Sequence, residues 1–511
     1  MKKIVPILLS CILTSFLTHG QSSQEFIKKS VNEQQWNLID DFKSFLAIPN
    51  VAVNAQGLQD NAQWLANYMK SKGIEDVNLL TLPNTSVPPV VFGEVKVPGA
   101  TETIIFYAHY DGQPVDTSKW YPGLHPFHPS LYSGMYEKGA IVLPWLSKGN
   151  NYDLNARIYA RGASDDKAGV MAIINAYAQL KTLHLQPTVN IKFFFEGEEE
   201  AGSPNLESLL ELYKNKLTSN MWVICDGPVH QSGKKQLVMG VRGDTHLELT
   251  VFGPKRPLHS GHYGNWVLNP AMELARLLAS MKNEKGEVTI KGFYDDVVPL
   301  SSLEKEALAK VPSVEVQLKN ELGINATERP GALNDALQLP SLNINGLQSA
   351  GVGKFSANVI PTKAIASVDM RLVKGNDWVK QQQKVIDHIK AQGFYVTYKE
   401  PTEEERKSNA KICMVVPDKN SYNAQKTSLD NPYVKRISKA MELSSAELPV
   451  ILPTLGGSLP LFVFEKVLNT SPITVPIANH DNNQHAENEN IKLKNFFEGI
   501  QIFASIMLLG K

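Results

Sequence analysis

Apolar residues recur at three- and four-residue spacing along QEFIKKSVNEQQWNLIDDFKSFLA, residues 24–47, the period of one helical face. The same spacing predicts a second helix in NAQWLANYMKSKG, 61–73, which stops at a glycine. The pattern then shortens. VVFGEVKV (90–97) and TIIFYAHYD (103–111) are brief runs rich in β-branched and aromatic residues, and they read as strands. Next come a helix in DDKAGVMAIINAYAQLKTL (165–183), a strand in TVNIKFFFEG (188–197), a helix in NLESLLELYKNKL (205–217) and a strand in MWVICDG (221–227). Strands alternating with helices predict an α/β domain, a mostly parallel sheet flanked by helices.

The texture changes after residue 240. THLELTVFG (245–253), IASVDMRLV (365–373) and FYVTYKE (394–400) read as strands, and NPAMELARLLASMK (269–282) and DWVKQQQKVIDHIKAQG (377–393) as helices. They predict a smaller α+β unit with its helices on one face of an antiparallel sheet. The Pro- and Gly-containing stretch 284–355 reads as a long loop between its halves. The helix NPYVKRISKAME (431–442) and the strand-like ITVPIA (473–478) return to the first pattern. The expected division is a main domain in two parts, 21–240 and 412–511, with an α+β unit, 241–411, inserted between them.

Bulk properties narrow the possibilities. The chain has 511 residues, too many for one core. Its formal net charge is zero and it has no long basic run, which argues against nucleic acid as the main partner. MKKIVPILLSCILTSFLTHGQ places two lysines before a short apolar run and small or polar residues, as in a bacterial secretory leader cut after Gly20. A periplasmic or secreted location is therefore expected, and no later segment is long and apolar enough to span a membrane. Past the leader only Cys225 and Cys413 remain, which is no disulfide framework; both read as small buried side chains.

The chemistry sits at strand ends. NIKFFFEGEEEAGS runs from an apolar strand into Glu196, Glu198, Glu199 and Glu200. Adjacent carboxylates repel and raise one another's pKa unless a cation lies among them. Four other segments offer partners: His109 and Asp111 in FYAHYDG, Asp165 and Asp166 in ARGASDDKAG, Asp226 in VICDGP, and His480, Asp481, His485 and Glu487 in NHDNNQHAENEN. Open α/β sheets bind ligands outside the carboxyl ends of their strands. A mixed imidazole and carboxylate set there suits zinc or another divalent transition metal. Each piece alone is weak, since Asp165 and Asp166 could equally cap a helix.

Together the strings HYDGQP, ARGASDDKAGV, EGEEEAGS, CDGP, LHSGHYG and HAENE resemble, in the same order, the co-catalytic dizinc exopeptidases and deacylases. That family includes carnosine dipeptidases, carboxypeptidase G and aminoacylase-1. GFYDDVVPL, PSLNINGL and ANVIP look like the carnosine-dipeptidase branch. The resemblance implies a zinc-exopeptidase-like catalytic domain with an inserted lid and dimerisation domain, and a homodimer. It also implies two divalent ions per subunit, zinc foremost, with manganese or cobalt as alternatives. One ion would take His109, Asp165 and Asp226, the other Asp165, Glu200 and His485. By the same resemblance Glu199 is the general base acting on a metal-bridging water, and Asp111 orients His109. His259 in LHSG matches an oxyanion-stabilising histidine that reaches the partner's site in dimeric members. Asn358 and Arg371 match substrate-contacting positions, and Gly457 and Ser458 in LGGSLPLF could hold a carboxylate. Glu198 falls on a variable position and reads as a surface acid.

The chain departs from the family in places. The stretch between HYDGQP and ARGASDD is long, and its His125 and His128 read as part of a rim loop. Asn265 stands where a second glycine is expected after HSGHYG, and 400–430 lacks the Gly- and His-containing string that lines the carnosine-dipeptidase pocket. The expected function is an exported dipeptidase acting on small peptides. The alternatives are an N-acyl-amino-acid deacylase or carboxypeptidase, and a catalytically inactive binding homologue. An inactive copy should have lost ligands, yet all the ligand positions and Glu199 remain.

Overall fold

The computed structural model describes residues 23–509. The expected leader, with Cys11, lies outside the described residues. The first domain is built on an eight-stranded sheet in the order Asp76–Leu80, Val90–Val95, Asn190–Glu196, Thr103–His109, Met221–Ile224, Ile473–Thr474, Gln236–Val238, Val450–Leu452. Its centre is parallel: Thr103–His109 pairs in parallel with both Asn190–Glu196 and Met221–Ile224, and Ile473–Thr474 joins Met221–Ile224 the same way. Asp76–Leu80 and Val90–Val95 add an antiparallel margin.

The apolar runs are continuous because both faces of this sheet are covered. Along Thr103–His109, Ile104, Phe106 and Ala108 enter a core with the helices Lys167–Thr182 and Leu493–Met507. Ile105 and Tyr107 enter a second core on the opposite face, with Leu206–Leu212 and Phe462–Leu468. The predicted helix over 24–47 is broken at Gln34, with Gln35–Leu46 as its second part.

A second sheet runs Ser341–Gln348, Lys363–Leu372, Gly240–Phe252, Ile412–Pro417, Tyr395–Thr397. Alternate residues of its long strand, Leu247, Leu249 and Val251, pack with Leu274, Leu277, Val385 and Ile389 from the helices Pro270–Ala279 and Trp378–Ala391. Two expectations need correction. Ile412–Pro417, read as part of the main domain, pairs with Gly240–Phe252, because Cys413 and Val415 complete the second core. The stretch 284–355 is no simple loop. It holds the helices Ser302–Ala309, Glu315–Leu322 and Leu333–Ala336 and the edge strand Ser341–Gln348. These elements are short, and the strand is mostly exposed, so they leave little apolar periodicity. Ser301 and Glu304 form a reciprocal capping box on the first of the helices.

Cys225 and Cys413 are both buried and free. Among the described residues no helix is long and apolar enough to cross a membrane.

Candidate active site

Three parallel strands end on one side of the main sheet, and their ends carry the acids and histidines. His109 closes its strand opposite Glu196, the last residue of the neighbouring strand. Asp226 follows Met221–Ile224 in the chain. Glu199 and Glu200 open the single turn Glu199–Ala201. The glycine before them is sterically required: a Cβ on Gly197 would lie 2.3 Å from the Tyr110 hydroxyl.

Asp165 lies at the centre, just before the helix Lys167–Thr182. One of its oxygens is 3.0 Å from His109 Nε2 and the other 3.0 Å from His485 Nε2. His109 Nε2 is 3.8 Å from Glu199 and 3.9 Å from Asp226, while His485 Nε2 is 3.3 Å from Glu200. Two donor groups result, His109–Glu199–Asp226 and Asp165–Glu200–His485, each with its ligand atoms within 4.8 Å of one another. The helix-capping alternative for the paired aspartates does not hold, since Asp166 makes no side-chain cap hydrogen bond.

The electrostatics fit cations. Burial, reinforced by neighbouring acids, pushes the carboxyls of Glu199, Glu200 and Asp226 above their usual range. Asp165 is the exception: burial would raise it too, but the two imidazoles hold it far below. Four carboxylates packed this tightly ionise together only with positive charge between them. The N/O donor set and its division into two groups linked by Asp165 suit a pair of divalent ions.

Asp111 ties the pieces together. Its Oδ1 lies 3.3 Å from His109 Nδ1. The same carboxylate accepts the backbone N–H of Glu199 at 3.2 Å and of Glu200 at 2.9 Å. One buried acid therefore aims a histidine and pins the turn that carries two glutamates.

Sequence reasoning missed several contributors. Glu489, fully buried, accepts from the backbone N–H of Gly162, Ser164 and Asp165 at 3.0, 2.8 and 3.0 Å and from Arg161 Nη1 at 2.8 Å. It shares the string HAENE with Glu487, the candidate read from the sequence, which lies 3.8 Å from Lys119 at the surface. Gln113 of HYDGQP donates to Glu200 at 2.7 Å. Glu198 is half-buried and accepts twice from the Asn205 amide, at 2.9 and 3.1 Å, so it is no plain surface acid. Asp481 pairs with Arg157 at 2.7 Å. His125 and His128 stack on each other in the rim, ring centroids 4.2 Å apart.

A cleft of about 590 Å³ joins the donor groups to the second sheet. Asp165, Glu199, Asp226 and His485 line it together with Arg371, Gly457 and Ser458. Arg371 Nη1 donates to Ser458 Oγ at 2.9 Å, and its Nε lies 3.2 Å from Asp369 and 3.5 Å from Asp244. Asp244, His246 and Asp369 also form a compact donor group, but the Arg371 guanidinium already supplies its positive charge.

His259 and Asn358 do not line this cleft within the one chain. They neighbour each other on the inserted unit, where the Ser260 N–H donates to Asn358 O at 3.0 Å. His259 is exposed, and its Nδ1 accepts from the Gly261 N–H at 3.1 Å, which leaves the ring proton on Nε2. Asn265 takes the left-handed conformation, φ +63°, that the expected glycine would occupy, and asparagine tolerates it.

Two donor groups linked by Asp165, whose oxygens reach His109 of one and His485 of the other, lie at the carboxyl ends of a mixed sheet and suit a dinuclear metal site. Residues 105–509 match peptidase family M20/M25/M40, and the chain belongs to this family. It is 26% identical to a human Beta-Ala-His dipeptidase over 431 residues, 83% of this chain and 77% of that protein. It is 27% identical to a Saccharomyces cerevisiae Cys-Gly metallodipeptidase over 464 residues, 88% of this chain and 89% of that one. The crystal structure of an M20 family metallo-carboxypeptidase from Sulfolobus solfataricus superposes with a TM-score of 0.75 at 27% identity, covering 92% of this chain and 98% of that chain. The two dipeptidase relatives put the chain in the carnosine-dipeptidase-like branch.

Proposed function

We propose that the protein is an exported dimetal dipeptidase, and the observation that carries this reading is the shared cleft. It sets the Asp165-centred donor groups against Arg371, Gly457 and Ser458 in about 590 Å³, room for a small peptide. His109, Asp165 and Asp226 would hold one ion, and Asp165, Glu200 and His485 the other. When bound, the two ions supply Lewis-acid activation of water and of the scissile carbonyl. Zinc is proposed, with manganese and cobalt as alternatives.

Glu199 faces the cleft, takes the proton of the attacking water and delivers it to the leaving amine. Asp111 keeps His109 and the Glu199 turn in place while this happens. Arg371 offers its fork to the substrate carboxylate, supported by Ser458 and the backbone of Gly457. His259, with its proton on Nε2, donates to the oxyanion of a partner subunit's substrate, and Asn358 beside it contacts that substrate. A homodimer is part of the proposal, because His259 lies outside its own cleft. The leader-like segment 1–20 supports export to the periplasm or medium, which N-terminal sequencing of the mature protein tests.

Hydrolysis of dipeptides, tripeptides and N-acetyl amino acids by the zinc- or manganese-loaded protein tests the reaction. Cleavage confined to dipeptides supports the proposal. Cleavage of tripeptides or acyl amino acids instead makes the protein a carboxypeptidase or a deacylase.

A further inference from the structure

Between the carboxylate clamp and the metal donors one side of the cleft is aliphatic. Leu455 Cδ2 lies 3.7 Å from the position a Cβ would take on Gly227, next to Asp226, and 3.9 Å from the same position on Gly457. One leucine therefore reaches from the metal side to the clamp. Leu337 comes within 3.2 Å of the Cβ position on Gly456 and adds a second wall. Leu333, one helical turn earlier, lines the cleft beside it. All three leucines are only partly buried, so their side chains are open to an occupant.

This wall is built in place. The Leu333 N–H donates to Glu315 Oε1 at 3.1 Å, and the Gln338 amide donates to Asn334 O at 3.0 Å, which ties down the short helix Leu333–Ala336. Among the lining residues the charged groups are the metal donors and Arg371. A peptide whose carboxylate sits on Arg371 carries its last side chain on the carbon bonded to that carboxylate, within reach of these walls.

We infer that this site selects peptides whose carboxyl-terminal residue has a large aliphatic or aromatic side chain, and discriminates against glycine and charged residues there. The inference rests on the dipeptidase reading for its substrate class. Leu333, Leu337 and Leu455 are the specificity-determining residues, since their burial against the substrate side chain is lost with glycine and opposed by a charge.

The test compares kcat/KM of the metal-loaded enzyme for Ala-Leu, Ala-Phe, Ala-Gly, Ala-Asp and Ala-Lys. Ala-Leu should exceed Ala-Gly by about tenfold or more, the discrimination a hydrophobic pocket achieves. Leu337→Asp should compress that ratio and raise Ala-Lys relative to Ala-Leu, with Leu333→Asp as a second variant and circular dichroism as the check on folding. Equal rates for Ala-Leu and Ala-Gly, or ratios unmoved in both folded variants, overturn the inference and leave the dipeptidase reading standing. If no dipeptide is cleaved, that reading fails by itself. The wall is then read with N-acetyl-leucine against N-acetyl-glycine, and by thermal shift with free leucine against free glycine. No preference in either would overturn the inference as well.

Discussion

Glu489 holds Asp165 by its backbone: the Asp165 N–H donates to Glu489 Oε1 at 3.0 Å. The same carboxylate takes the N–H groups of Gly162 and Ser164 and the Arg161 guanidinium. The loop that presents the shared aspartate is therefore shaped by a residue more than three hundred positions later in the chain.

Glu489→Gln should weaken metal binding without unfolding the protein. The amide turns one acceptor oxygen into a donor that faces other donors, and it removes the charge opposite Arg161. Loss of such a supporting partner lowers metal affinity by about 10- to 100-fold. A chelator-competition titration measures this, with circular dichroism as the control. Unchanged affinity would reduce Glu489 to a packing role.

Glu199→Gln isolates proton transfer. The isosteric amide cannot accept the water's proton, so turnover should fall by about 100-fold or more. Metal content, read by elemental analysis, should stay at the wild-type value. A variant that keeps most of its rate would assign the base elsewhere.

His259 tests the assembly. Alone, His259→Ala and Glu199→Gln should each be nearly inactive. Mixed under conditions of subunit exchange, they should recover part of the activity, because a hybrid dimer contains one intact site. No recovery, with exchange confirmed by mass spectrometry, would argue against action of His259 across subunits.

The metal-free protein should lose stability as pH rises. Burial raises the carboxyls of Glu199, Glu200 and Asp226, so above about pH 4 the folded state holds more protons than the unfolded chain. His485, raised to about 9 by its hydrogen bond to Asp165, acts in the same direction: its contribution is present below an ordinary histidine pKa and is lost as pH passes through 9. Asp165 acts oppositely, but only under acid conditions. The melting temperature in chelator should therefore fall between about pH 6 and about pH 9, and added metal should flatten the curve. A flat curve in chelator would contradict this account of the cluster.

Much of the catalytic domain was legible in the sequence because its strands are apolar on both sides and end in charged residues. His109, the Glu199–Glu200 pair and Asp226 stand out against buried runs for that reason. Glu489 was not legible, because a buried acid among asparagines looks like a solvated one until its donors are placed around it. The helix Leu333–Ala336 was lost for want of length, and Leu333 and Leu337 with it. Arg371 could be read as a residue but not its setting: Asp244 reaches it only through strand pairing across more than a hundred residues. Such pairings depend on register, which local patterning does not encode.

The strand Gly240–Phe252 pairs with Leu455 and Ser458 at Val241 and Arg242, and with Arg371 at Asp244. Both halves of the clamp thus hang from one strand through two separate pairings, of which the Arg371 one is regular. A ladder admits whole-residue steps only, and a single step would turn Arg371 to the helix-covered face. Arg371 can be kept or lost, but it cannot creep along its own pairing toward or away from Asp165. Any drift in the size of peptide this enzyme accepts must therefore be written in the leucine walls and in the loops around the donors.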